Sequence, residues 1–212
     1  MTMISPLKRS ALAVAVLACP YLLQATVTHA SPNLASEHGR QLAQTCAACH
    51  GMDGNSRPSK TYPNLAAQVP SYLELQLSNF KSGERRSAVM QAIASTLSAN
   101  DMHDLGLYFG AQAAKAQPSS NLKLEQQGQA IFARGNSTGA PACASCHGAQ
   151  GHGQASFPRI ASQPADYLIE QLHVYHDARH FNNPMASTMQ GVALKLSAQD
   201  MQAVSAFIAT LP

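Results

Sequence analysis

The chain has 212 residues, 45% of them hydrophobic and only 12% charged, with 14 Lys plus Arg against 11 Asp plus Glu. Lys8 and Arg9 fall in a leader segment, so the remaining 12 cations nearly balance the 11 anions. That balance excludes the basic surface of a nucleic-acid binder, and no nucleic-acid partner is expected. With no Trp and 6% aromatic residues, the core built from side chains alone is thin, and something else must help to fill it.

Residues 1–30 read as a secretory signal: a positive start at Lys8 and Arg9, an apolar stretch from Ser10 to Leu23, and Thr28-His29-Ala30 as a small-x-small cleavage site. The apolar stretch is short for a bilayer span, which needs about 20 residues. A lipidated Cys19 and an uncleaved anchor are the alternatives. Export past Ala30 places the mature chain in an oxidising compartment, where free thiols do not persist.

After the leader, the first helix is expected over Leu34 to Cys46, ending on Cys46-Ala47-Ala48-Cys49-His50. A second helix is expected over Ser71 to Phe80, with Tyr72, Leu73, Gln76, Leu77 and Phe80 on one stripe behind Pro70. Ser98-Ala99-Asn100-Asp101 is a capping-box start for a helix over Met102 to Gln112. A breaker cluster, Pro118-Ser119-Ser120, divides the mature chain into units 31–117 and 118–212. The pattern then recurs: a helix over Leu124 to Arg134, the motif Cys143-Ala144-Ser145-Cys146-His147, and a helix over Tyr167 to Tyr175. It closes with the start Ser197-Ala198-Gln199-Asp200 and a helix over Met201 to Leu211. No run alternates with period two, so the fold class is all-α.

The recurrence is an internal repeat. The two Cys motifs are 97 apart, and Tyr62-Pro63-Asn64-Leu65-Ala66 matches Phe157-Pro158-Arg159-Ile160-Ala161. Tyr72-Leu73 and Gln76-Leu77 match Tyr167-Leu168 and Gln171-Leu172, and Met90 matches Met189. An ordered series at nearly constant offset is the mark of duplication.

C-x-x-C-H is the attachment signature of a c-type haem. Two thiols three residues apart can add across the two vinyl groups of one porphyrin, and the adjacent His then lies over the iron. Cys46, Cys49, Cys143 and Cys146 are thus the candidate attachment residues for two covalently bound haem c groups, with His50 and His147 as proximal ligands. A thioredoxin-type dithiol, a zinc site and disulfides within each pair are weaker readings. The duplication selects Met90 and Met189 as sixth ligands, with Met185 the rival at the second iron. Met52 is too near the attachment loop, and Met102 and Met201 lie inside the final helices. His173, His176 and His180 read as a solvated face; His38, His103 and His152 read as surface; Arg85-Arg86 reads as a solvated pair.

Over the whole mature chain these residues resemble the two-haem cytochrome c4 proteins of bacterial periplasms. The likeness rests on both Cys-His motifs, Gly51-x-x-Gly54-Asn55, Pro63-x-Leu65-Ala66, Phe157-Pro158, the Tyr-Leu-x-x-Gln-Leu helices and Gly191-Val192-Ala193-x-Lys195-Leu196-Ser197. The resemblance implies two tandem class I cytochrome c domains related by a pseudo-two-fold axis. It implies axial pairs His50/Met90 and His147/Met189, and proximal-histidine N–H groups accepted by the carbonyls of Pro63 and Pro158. It also implies an electron carrier of a respiratory chain rather than an enzyme, between a quinol-oxidising complex and a terminal oxidase, with peripheral membrane association left open. The alternative is the electron-accepting subunit or haem enzyme of a periplasmic dehydrogenase, thiosulfate oxidation being one example.

Overall fold

The structure is a computed structural model that describes residues 32–56, 61–118, 121–154, 156–179 and 184–212. The leader, Cys19 and His180 lie outside them. Among the described residues the fold is helical, with one isolated bridge between Gln154 and Phe157 and no strand.

The first half contains α1 (Pro32–His50), α2 (Pro70–Ser82), α3 (Ala88–Ser95) and α4 (Ala99–Gly110); α1 and α2 both pack on α4. The second contains α5 (Leu122–Arg134), the short α6 (Ala144–His147), α7 (Ala165–His176), α8 (Pro184–Ala193) and α9 (Ala198–Thr210), with α5 and α7 packed on α9. Four helix starts follow from local chemistry. Ser98 and Ser197 each accept the N–H three residues on and donate their own N–H back to Asp101 and Asp200, completing capping boxes. Pro70 occupies the first turn of α2, where its missing N–H costs nothing. Ser87 caps α3 through the Met90 N–H.

Each half is closed by a crossing of its first and last helices at a glycine. A Cβ on Gly39 would strike the Asp104 carbonyl of α4, and one on Gly128 the Ala203 carbonyl of α9. These positions correspond in the repeat, as do Tyr108 and Phe207, whose Cβ atoms also border the two glycines. Gly128→Ala inserts a methyl against backbone that cannot yield without parting the helices. Overpacking of that kind costs about 3 kcal/mol, and the better helix propensity of Ala returns about 1 kcal/mol. The expected result is a net loss of about 2 kcal/mol, read as a lower melting temperature with the haem content intact.

The halves differ in how the motif follows the first helix. Gly39 precedes Cys46 by seven residues, while Gly128 precedes Cys143 by fifteen. In the first half α1 runs unbroken through the motif. In the second, α5 stops at Gly135 (φ 78°) and a loop precedes α6. That loop is pinned by Asn136, whose Oδ1 accepts the Ala140 N–H (2.8 Å) and whose Nδ2 donates to the Lys195 carbonyl (2.7 Å). Thr138 Oγ1 donates to the same carbonyl (2.6 Å). The core is thin, as expected: the buried apolar cluster of the first half consists of Ala43, Leu73, Leu105 and Phe109.

Candidate functional site

His50 and His147 end the two helical motifs, and both are buried, each 7% exposed. Their Nδ1 atoms lie 2.9 Å from the carbonyl oxygens of Pro63 and Pro158. The Nδ1–H group donates there, which fixes the tautomer and leaves Nε2 as the lone-pair nitrogen. Among the described residues Nε2 has no hydrogen-bond partner at either site. Burial lowers both imidazole pKa values, and the bond to the proline carbonyl opposes this only in part. Both rings are therefore neutral at physiological pH, the state a metal-ligating imidazole requires.

The loop behind each motif sets the proline. Gly54 (φ 70°) and Gly151 (φ 69°) turn the chain back. The Gly54 carbonyl then accepts the N–H groups of Leu65 (2.7 Å) and Ala66 (3.2 Å), and the Gly151 carbonyl accepts those of Ile160 (2.8 Å) and Ala161 (2.9 Å). A Cβ on Gly54 would meet Ala66 N at 2.8 Å and Phe109 Cδ1 at 2.9 Å, so this close approach requires glycine. Tyr62 and Phe157, preceding the prolines, set their rings 6.0 and 6.1 Å from His50 and His147.

All four thiols are free and half-buried. Burial pushes the Cys46 and Cys143 thiols up to about 11. A protonated thiol at that value is no redox dithiol, whose nucleophile needs a depressed pKa. Among the described residues no group of three or more His, Cys, Asp or Glu is arranged to hold a metal ion.

Met90 lies in α3 and Met189 in α8, both half-buried. Among the helices α3 packs only on α2 and α8 only on α7, and neither packs on the helix bearing the histidine of its half. Met185 also lies on α8, 37% exposed, and Met52 is 41% exposed. Neither α3 nor α8 was apparent as a helix from sequence pattern. Each is short, and Ser87 lacks the acidic residue three positions on that completes the capping boxes at Ser98 and Ser197.

Arg85 corrects the reading of a solvated Arg pair. Its guanidinium donates to Gln76 Oε1 (2.8 Å), Tyr167 OH (3.1 Å) and Gln171 Oε1 (3.0 Å), and lies 4.7 Å from the centre of the Phe80 ring. Two of these partners belong to the second half, so Arg85 sits in the seam between the halves, whereas Arg86 is exposed. Burial there pushes the phenols of Tyr72 and Tyr175 up. No carboxylate pairs with Arg85 among the described residues. The clue available in the sequence was its place just past a helix whose Tyr and Gln positions recur in the repeat. His38, His103 and His152 are exposed as expected, but each has a partner: Asp104 (2.7 Å), Glu74 (3.4 Å) and the Pro212 oxygen (2.9 Å). His176 is exposed and pairs with Asp177, and His173 is half-buried.

Elsewhere in the seam Asn64 Nδ2 donates to the Ser162 carbonyl (2.6 Å), and two glutamines clamp opposing backbone. Gln163 Oε1 accepts the Asn64 N–H (2.9 Å) and Gln163 Nε2 donates to the Asn64 carbonyl (2.7 Å). Gln68 Oε1 accepts the Arg159 N–H (2.7 Å) and Gln68 Nε2 donates to the Arg159 carbonyl (2.8 Å). Gln68 corresponds to Gln163 in the repeat and Asn64 to Arg159, so the two clamps are related by pseudo-two-fold symmetry.

The cytochrome c family profile matches the chain twice, over residues 36–116 and 125–212. Cytochrome c4 of Pseudomonas aeruginosa is 36% identical over 188 residues, covering 86% of this chain and 90% of that one. The crystal structure of reduced recombinant cytochrome c4 from Pseudomonas stutzeri superposes with a TM-score of 0.78 at 34% identity, covering 84% of this chain and 98% of that one. The thiosulfate dehydrogenase electron acceptor of Thiomonas intermedia is 34% identical over 175 residues, 80% of either chain. With two tandem cytochrome c folds and a C-x-x-C-H motif in each, the chain belongs to the cytochrome c4 family of dihaem electron carriers.

Proposed function

We propose that Cys46 and Cys49 hold one haem c by thioether bonds and Cys143 and Cys146 the other, in domains spanning 31–117 and 118–212. The axial pairs are His50/Met90 and His147/Met189. The observation that carries this reading is the twice-built imidazole: buried, neutral, tied at Nδ1 to a proline carbonyl, with Nε2 unengaged. When bound, haem supplies the one-electron ferric–ferrous couple. The chain's own residues hold the ring orientation of both histidines, wrap the site in apolar side chains and place a cation, Arg85, in the seam. Among the described residues that cation has no carboxylate partner, and it suits a haem propionate.

A methionine sixth ligand closes the iron, which favours electron transfer over catalysis at the metal. The chain carries electrons in the periplasm from a quinol-oxidising complex to a terminal oxidase. Among the described residues no helix is long and apolar enough to cross a membrane. The Thiomonas relative supports a second reading, in which the donor is a periplasmic dehydrogenase. The test is the far-red charge-transfer band that Met gives on ferric haem, quantified per haem. Full intensity for two haems is expected; half intensity would remove Met from one of the axial pairs.

A further inference from the structure

We propose that Gln163 and Gln68 are positioning residues for the iron ligand of the opposite half: each sets the redox potential of the other domain's haem through a single peptide group. The inference rests on His50 and His147 being the proximal ligands.

The peptide between Pro63 and Asn64 is engaged at both ends. Its carbonyl accepts the His50 Nδ1–H at 2.9 Å, and its N–H donates to Gln163 Oε1, also at 2.9 Å. The peptide between Pro158 and Arg159 repeats this, with His147 on its carbonyl at 2.9 Å and Gln68 Oε1 on its N–H at 2.7 Å. All four residues of the clamps are buried: Asn64 3%, Gln68 5%, Gln163 4% and Arg159 7% exposed. In such surroundings hydrogen bonds in a chain polarise one another. An amide that donates through its N–H carries more negative charge on its oxygen, and so accepts more strongly from the imidazole. A histidine drawn toward imidazolate is a more basic ligand and stabilises ferric over ferrous iron.

Glue alone does not explain the placement. Any exposed backbone pair in the seam could take a side-chain amide. In both halves the amide falls on the one peptide that orients the iron ligand, and the same repeat position supplies it each time. The two clamps are also unequal. Gln68 Oε1 accepts a second N–H, that of Val69 at 3.0 Å, whereas among the described residues Gln163 Oε1 accepts only Asn64. The bond to Arg159 is nonetheless the shorter of the two, 2.7 Å against 2.9 Å for Gln163 and Asn64.

The experiment uses the full-length dihaem protein, with the two redox waves assigned from single-haem variants. Gln163→Met keeps the side-chain length and removes both bonds. The potential of the first haem should rise, seen as a several-fold fall in its oxidised-to-reduced ratio at the wild-type midpoint. The second haem should keep its wild-type value, and the His50 Nδ1–H proton resonance should move upfield. Gln68→Met should do the converse, raising the potential of the second haem and sparing the first. Gln163→Glu, measured where its carboxyl is protonated, restores both bonds and should return the first haem to wild type; it also serves if the Met variant folds poorly. The proposal is overturned if both haems shift alike, if the shift falls on the haem of the substituted half, or if neither moves. Failure of the ligand assignment looks different: a histidine variant would then keep its haem and its axial spectrum.

Discussion

Replacing Cys46 and Cys49 together with serine yields a protein with one haem instead of two, counted by alkaline pyridine haemochrome against protein mass. The effect is large because the thioether bonds hold the group covalently, and no other cysteine of the described residues lies in the first half. The loss reaches the fold as well. The apolar cluster of the first half is four buried side chains, and cores of that size supply little stability unaided. The first half should therefore melt early, while the second keeps its haem and its spectrum. Retention of both haems would end the attachment assignment. The mirror variant, Cys143→Ser with Cys146→Ser, should spare the first haem.

The second large effect is at the sixth ligand. Met90→Ala opens the first iron, so the ferrous protein binds carbon monoxide at one haem of two and the far-red band falls by half. The backbone should be little disturbed, since Ser87 caps α3 through the Met90 N–H and alanine retains that donor. Met189→Ala should do the same at the second iron, whereas Met185→Ala should leave the band intact, in keeping with the exposure of Met185. If Met90→Ala binds no carbon monoxide, Met90 is not the ligand.

Much of this was legible before any coordinates. The duplicated motifs and the two capping boxes carry local chemistry that a sequence states outright, and the resemblance to the cytochrome c4 proteins implied the proline–histidine contacts. Both boxes form, and both prolines accept the histidine N–H at the same distance. The missed parts share a cause. Gln68, Gln163 and Arg85 act across the seam, and their partners are mostly backbone atoms or residues some 80 to 99 positions away in sequence. A polar side chain bound for a backbone carbonyl in another domain looks, in sequence, like one bound for water. Likewise, a helix as short as α3 draws its stability from its neighbours more than from its own pattern.

The glycine crossings also set an order of events for a chain made from its N-terminus. Each crossing joins the first and last helices of a half, so α1 cannot dock until α4 exists, nor α5 until α9. Between synthesis of a Cys-His motif and arrival of the helix that covers it, the thiols stand in an open chain. Burial raises the Cys46 and Cys143 thiols, so thiolate chemistry at the motifs is easier before the crossings close. In the second half both α5 and α7 pack on α9, so a stalled or truncated final helix would leave that half, and its motif, open.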